Sequence, residues 1–259
     1  MPAPDGPSDK AALRGEPSYV WRAGQARRLG MVLAAAPVGA ASRVLDNGCG
    51  VGVYVERLRA FTPLAFGLEY ELERALEAGA RLHPALVVCA AGEDLPFADG
   101  SFDLVLSNEV IEHVADDRAA LAEMARVLRP GGRMVIFCPN RWYPVEQHGV
   151  YWRGVYHFGN VPLVNYLPDP LRDRLAPHVR TYTTRGLRRL TRGLPLRLVS
   201  HTRIFGGYDN IIRRLGPLGR LIRAALQGAE ATPLNYLGLS HLMVLERTPE
   251  LAGPTAPGS

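Results

Sequence analysis

Lysine is almost missing from this chain: Lys10 is the only one among 30 basic residues in a total of 259. The net charge of +5 therefore rests on arginine, and so lopsided a choice of cation records composition bias; no nucleic-acid partner is expected from it. Cysteine is scarce as well. Cys49, Cys89 and Cys138 are odd in number and each lies in an apolar run, which suits reduced thiols, and no Cys-x-x-Cys pair offers zinc a site. No apolar run approaches the roughly 20 residues of a membrane span, and the N-terminus has no apolar core of the signal-peptide kind, so a cytoplasmic location is expected. There is no internal repeat and no low-complexity tract outside the ends.

The two ends, residues 1–16 and 249–259, are dominated by Pro, Gly, Ala and charge; they cannot bury enough apolar surface to offset their ordering entropy and are expected to be disordered tails. Residues 17–248 read as one domain. An amphipathic helix runs from about Val20 to Ala36 and stops at Pro37. RVLDNGCG then gives a short apolar strand, an acid at its end and closely spaced glycines before the helical VYVERLRA. PLAFGLEY and HPALVVCA read as the second and third strands, with the helix ELERALEAG between them. FDLVLSNEV follows as the fourth. DDRAALAEMARVL places Leu121, Met124, Ala125 and Leu128 at i, i+3, i+4 and i+7, a helix stopped by Pro130-Gly131-Gly132, and RMVIFCPN is strand five. Strands alternating with helices imply an α/β, doubly wound, mostly parallel sheet. The rhythm breaks twice, over 141–182 and 208–238, on either side of the helix TTRGLRRLTRGL and the strand PLRLVSHTRIF; SHLMVLERT supplies a last strand.

The loop after the first strand, D46-N-G-C-G-V-G52, narrows the chemistry. A phosphate-binding P-loop requires Lys then Ser or Thr after its glycines, and Val53-Tyr54 stands there instead. A dinucleotide fingerprint is spaced Gly-x-Gly-x-x-Gly, whereas this loop carries Gly48, Gly50 and Gly52 with Asp46 at the strand end, where an acid would repel a pyrophosphate. A cationic ligand reverses that argument. S-adenosylmethionine carries a sulfonium and an ammonium. A tight strand-helix turn without any ligand is the plain alternative for the glycines.

VLDNGCGVG resembles the glycine loop of the class I S-adenosylmethionine-dependent methyltransferases, in particular their small-molecule, type 11-like group, and the likeness extends continuously over residues 43–140. It implies a Rossmann-like methyltransferase fold with seven strands and insertions after strands five and six. It also implies S-adenosyl-L-methionine as cofactor, held by Asp46, Gly48, Cys49, Gly50, Glu69, Tyr70, Gly92, Glu93, Asp94 and Asn108. Glu69, at the end of GLEY, takes the place of the family's acid on both ribose hydroxyls, and one carboxylate can accept two such bonds. The sequence departs from many relatives at Ala91, where an Asp contacts the adenine amino group. The backbone of Gly92 and Glu93, or the Asp94 side chain, would then serve, although Asp94 also reads as a helix-start cap. Arg22 would neutralise the cofactor carboxylate or else be a solvated arginine.

The acceptor side falls to CPNRWYPVEQHGVYWRGVYHF, residues 138–158, beyond strand five on the rim where open α/β sheets bind ligands. His148 and His157 are candidate general bases, since imidazole titrates near pH ~6.5. His113, in the EHV after strand four, recurs in the family and is the third candidate. A metal on Glu146, His148 and His157 matches no short ligand signature, and no metal is expected. Trp142, Tyr143, Tyr151 and Trp152, with Tyr156 and Phe158, would either contact an apolar acceptor or form a satellite core that anchors the first insertion. The two insertions together would make an acceptor lid.

Two kinds of activity follow. One is methylation of a hydroxyl oxygen on a small-molecule acceptor, a metabolite or natural product. The other is peripheral membrane work on a quinone, lipid or glycolipid, with residues 209–226 in the interface, an arrangement that Gly216-Pro217 interrupts. A non-catalytic cofactor-binding subunit is the third reading. SNEVIEH lacks the Asn/Asp-Pro-Pro-aromatic motif of amino-group methylation, which speaks against an RNA substrate.

Overall fold

The computed structural model describes residues 19–249; the expected tail 1–16, and all of the expected tail 249–259 except Pro249, lie outside the described residues. α1 (Ala23–Ala35) precedes a regular alternation of β1 (Val44–Asn47), α2 (Val53–Leu58), β2 (Ala65–Glu69), α3 (Leu72–Arg81), β3 (Val87–Cys89), β4 (Phe102–Asn108), α4 (Asp117–Val127) and β5 (Leu128–Pro139). An insertion follows, with four short strands, β6 (Val145–Glu146), β7 (Val150–Trp152), β8 (Val155–His157) and β9 (Val161–Pro162), and the helix α5 (Asp169–Leu175). The chain then returns through α6 (Thr184–Leu190) and β10 (Leu196–Ile204), leaves again as α7 (Asp209–Leu215) and α8 (Pro217–Gly228), and closes with β11 (Ser240–Arg247).

Seven strands form one sheet in the order β10-β11-β5-β4-β1-β2-β3. β1 pairs in parallel with both β2 and β4, while β11 runs antiparallel between β5 and β10. The side-chain period of two sends alternate residues to opposite faces. Leu45, Val105, Ile136 and Met243 join Leu121 and Met124 of α4 and Leu187 of α6; Val44, Leu104, Val135 and Leu242 join Leu29 and Val32 of α1 and Val55 and Leu58 of α2. Both faces are therefore covered, which is why β1 reads as an unbroken apolar run before its acid. The chain moves outward from β1 to β3 and returns to the other side of β1 as β4, so the carboxyl ends of β1 and β4 flank the switch point where such sheets hold ligands.

Two local expectations change. Pro130-Gly131-Gly132 does end the helical pattern, but these residues fall inside β5, which begins at Leu128. Residues 209–226 are two helices, not one interrupted helix: α7 ends at Gly216, whose φ is 54°, and Pro217 opens α8, where its missing N–H costs nothing. Backbone bonds from Arg141 N to Tyr182 O (2.9 Å) and Tyr182 N to Pro139 O (3.0 Å) close the first insertion at its base. Among the described residues no helix is long and apolar enough to cross a membrane.

Candidate active site

A cavity of about 840 Å³ opens at the switch point. Its floor is the β1–α2 loop. Gly48 has a φ of 82°, and a Cβ there would stand 2.4 Å from a Val110 methyl, so only glycine lets the loop turn this close to the end of β4. The Glu69 carboxylate accepts from Gly50 N at 2.9 Å and Glu71 N at 3.0 Å, so the loop and the end of β2 share one anchor. Asp46 is 2% exposed. Burial, and then the charge of Glu69, push its carboxyl up to about 7. Beside it, both amide atoms of Asn47 are buried without a hydrogen-bond partner among the described residues. An orphaned amide and a buried acid with no cation beside it are what a polar, cationic ligand would complete.

Of the residues expected to hold the cofactor, Asp46, Gly48, Cys49, Gly50, Glu69, Tyr70, Gly92, Glu93 and Asn108 line this cavity, and so does Arg22. Asp94 does not: it is exposed, and no helix begins there, so the capping alternative fails with the binding one. Glu93 turns its carboxylate to Ala115 N at 2.7 Å and so ties the loop after β3 to the segment before α4. Sequence reasoning missed Asn47, Arg28 and Glu109. Arg28 reaches down from α1 to Asn108 Oδ1 (2.7 Å), Ser240 Oγ (2.8 Å) and Glu109 Oε1 (2.7 Å). Glu109 has a φ of 57°, a strained value for a non-glycine residue. Burial alone would raise its pKa, but Arg28 and the Ser240 hydroxyl hold it down to about 2, while burial and the Glu109 charge push the neighbouring Glu112 well up. Burial and the charge of Glu109 thus both favour the protonated form of Glu112.

The other half of the cavity is walled by the first insertion and by the strand ends near β10 and β11. Gln147, His148, Tyr156, Phe158, Phe205 and Leu239 line it, with His113 between the two halves. His148 is fixed from behind: its backbone N and its ring Nδ1 both meet Glu146 Oε1, at 3.0 and 2.9 Å. Glu146 Oε2 accepts from Arg172 of α5 at 3.1 Å, and both members of that pair are almost fully buried. Burial opposes the charge on Glu146, yet the hydrogen bonds from His148 and the field of Arg172 bring it down to about 2. His113 stands with its ring 5.4 Å from that of His148, and burial followed by His148 lowers it to about 4, so it is neutral near pH 7.

The remaining acceptor-side expectations part company. His157 is exposed and lies outside the cavity. β7 and β8 pair Tyr151 with Tyr156 and Val150 with His157, so the hairpin turns its tyrosines one way, against His178 at 5.6 and 5.5 Å, and His157 the other. Trp142 stacks on Tyr236 at 5.5 Å and so joins the two insertions; Tyr143 lines a separate void of about 40 Å³; Trp152 is 57% exposed. Trp142, Tyr143 and Tyr151 therefore fit the anchoring account, Trp152 fits neither account, and Tyr156 and Phe158 are the rings of this stretch that line the cavity. Glu146, His148 and His157 are not assembled as a ligand set. Glu112, His113 and His148 are: one carboxylate oxygen and two imidazole nitrogens lie within 4.8 Å of one another, a group able to hold a metal ion.

A sheet ordered β3-β2-β1-β4-β5-β11-β10 with β11 antiparallel, a glycine turn after β1 and an acid at the end of both β1 and β2 make up the Rossmann-like methyltransferase fold. Residues 45–136 match the family described as Methyltransferase domain. The chain is 37% identical over 117 residues to a demethylmenaquinone methyltransferase of Corynebacterium urealyticum, covering 45% of this chain and 47% of that protein. It is 41% identical over 103 residues to a ubiquinone biosynthesis O-methyltransferase of Parvibaculum lavamentivorans, covering 38% and 41%. Each match thus spans less than half of the relative's length. A crystal structure of an S-adenosylmethionine dependent methyltransferase from Mesorhizobium loti shares the fold with a TM-score of 0.59, at 17% identity over 84% of this chain and 96% of that one. Residues 45–136 of the 259 are thus similar to a methyltransferase domain, and the chain shares the fold of the solved S-adenosylmethionine dependent methyltransferase.

Proposed function

We propose that this protein methylates a hydroxyl oxygen of a small, ring-bearing acceptor seated against Tyr156, Phe158, Phe205 and Leu239, with His148 as the base. When bound, S-adenosylmethionine supplies a methyl group already activated on a sulfonium, so the chain need only hold two reactants in line and take up a proton. Glu69 and the Gly48–Gly50 turn hold the nucleoside end, and Asp46 and Asn47 face the cationic end. His148 carries the reading: its Nδ1 is committed to Glu146, which leaves Nε2 to accept the hydroxyl proton as the oxygen forms its bond to carbon. Neutral His113 is a hydrogen-bonding neighbour to the same oxygen. Two relatives named for quinones make a hydroxylated quinone-like ring the first acceptor to try. Nothing in this chemistry requires a metal.

The test is transfer of labelled methyl from S-adenosylmethionine to hydroxylated ring compounds, with and without a chelator. Label on oxygen, insensitive to chelator, is expected. Label on carbon or nitrogen alone refutes the reading, and loss of turnover with chelator would transfer His148 to a metal set with Glu112 and His113.

Asp46 gives a second expectation. Its carboxyl is protonated in the ligand-free protein below about pH 7, and only the ionised form attracts a cation. S-adenosylmethionine affinity should therefore rise from pH 5 to 8, by up to about tenfold per unit below the pKa. Binding at pH 6 should release a proton, visible in calorimetry as a dependence on the buffer's ionisation enthalpy; pH-independent affinity would remove Asp46 from the site. The raised pKa also means that the ligand-free fold loses stability as pH climbs from about 4 to 7, because the unfolded carboxyl ionises first.

A further inference from the structure

α7 and α8 form a hairpin whose outward side is apolar. Leu215, Leu218 and Leu221 are 47, 55 and 66% exposed, whereas Ile211 and Ile222 turn inward and are half-buried. At helical spacing Leu218, Leu221 and Ala225 share one stripe. That stripe cannot rotate inward. Gly219 is buried, and a Cβ on it would come within 2.7 Å of Ile212 Cα, so the backbone of α8 lies directly on α7.

Arg213, Arg214 and Arg220 are exposed on the same hairpin, Arg223 is half-buried, and Asp209 is the one acid in 209–228. Among the described residues no carboxylate stands within ion-pair distance of these four arginines. Exposed leucines, together with arginines that pair with no carboxylate among the described residues, suit a bilayer interface whose acidic headgroups supply the counter-charge. Protein interfaces deplete charge from their centres, and unstructured nucleic acid is gripped by aromatic stacking, yet 209–228 holds no aromatic residue.

The hairpin is rooted at the cavity. Phe205, Gly206 and Asp209 line it, Gln227 Nε2 donates to Gly206 O at 3.2 Å, and Glu230 accepts from Phe205 N at 2.7 Å while pairing with Arg27 of α1 at 2.5 Å. We propose that the outward face of α7–α8 docks on an anionic lipid bilayer and brings the acceptor half of the cavity to the lipid surface. The docking stands on the helix faces alone; delivery of an apolar acceptor from the lipid rests on the function proposed above.

Flotation of the full chain with vesicles tests it. The protein should rise with phosphatidylcholine vesicles containing phosphatidylglycerol, stay behind with phosphatidylcholine alone, and be released at high salt. Leu218→Ser with Leu221→Ser, and separately Arg213→Glu with Arg220→Glu, should each cut the bound fraction about tenfold, with calorimetric binding of S-adenosylmethionine unchanged as proof of folding. Failure of the unaltered chain to float, or flotation indifferent to both pairs of substitutions, overturns the proposal. So does a dimer in light scattering that the leucine substitutions dissolve, since the face would then belong to a second copy. Turnover of a water-soluble acceptor should survive the leucine substitutions; its absence from the unaltered chain as well would count against the activity and leave the flotation result standing.

Discussion

Glu69→Ala should lower S-adenosylmethionine affinity by about a hundredfold or more, and should also lower the thermal transition, because the amides of Gly50 and Glu71 lose their acceptor. The carboxylate sits at the end of β2, 7% exposed, already held by two backbone amides, so no ordering is left for the ligand to induce. Hydrogen bonds to a charged acceptor are worth about 1.5–3 kcal/mol each, and losing two toward a ribose amounts to at least about 3 kcal/mol, which is two orders of magnitude in Kd. The same change has a second signature. The charge of Glu69 is one of the two causes that raise the Asp46 pKa, so in the alanine variant Asp46 ionises at lower pH and the residual binding should reach its plateau earlier. Calorimetry at pH 6 and pH 8 reads both effects, and an affinity within threefold of the original would remove Glu69 from the cofactor site.

His148→Ala should cut kcat by about a hundredfold to ten-thousandfold, the usual span for a positioned base, with S-adenosylmethionine affinity unchanged. Raising the pH should restore part of the loss, because an acceptor that ionises by itself no longer requires the imidazole. Glu146→Gln is the companion experiment. It keeps the shape but removes the charge that orients His148, and it takes from the buried Arg172 its buried counter-ion, leaving only the exposed Asp173 at 3.4 Å. That variant should therefore lose stability by about 3–5 kcal/mol as well as kcat. A His148→Ala profile parallel to the original at all pH values would show that His148 shapes the pocket and moves no proton.

The cofactor half was legible because it is local. Asp46, Gly48, Gly50 and Glu69 lie within 24 residues, and their spacing carries the chemistry before any folding is known. Arg28 and Ser240 were invisible for the opposite reason: nothing in an amphipathic helix or a last strand says that 212 residues later the two will share a hydrogen bond. The choice between Tyr156 and His157 turned on a hairpin register. Arg153 and Gly154 both adopt positive φ, 52° and 83°, as a two-residue turn of the mirror-image type requires, but Arg-Gly lacks the Asn-Gly or Asp-Gly signature that would have fixed the parity of the strand beyond it. Phe205 and Leu239 reach the cavity only because the second insertion leaves and rejoins the sheet beside it.

The place of β11 has a consequence for how the molecule is made. It fills a slot between β5 and β10, both of which precede it in the chain. On the ribosome, β5 therefore stands with one flank open until Ser240–Arg247 emerges, and its residues Met134–Cys138, fully buried in the finished sheet, form the open edge. An apolar strand with an unpaired edge is a template for association with other chains. Long-range pairings of this kind also form late and slowly. The interval between synthesis of β5 and arrival of β11 is roughly a hundred residues, or about 5–20 s at ordinary rates of elongation, and over that time the nascent chain is exposed to such association.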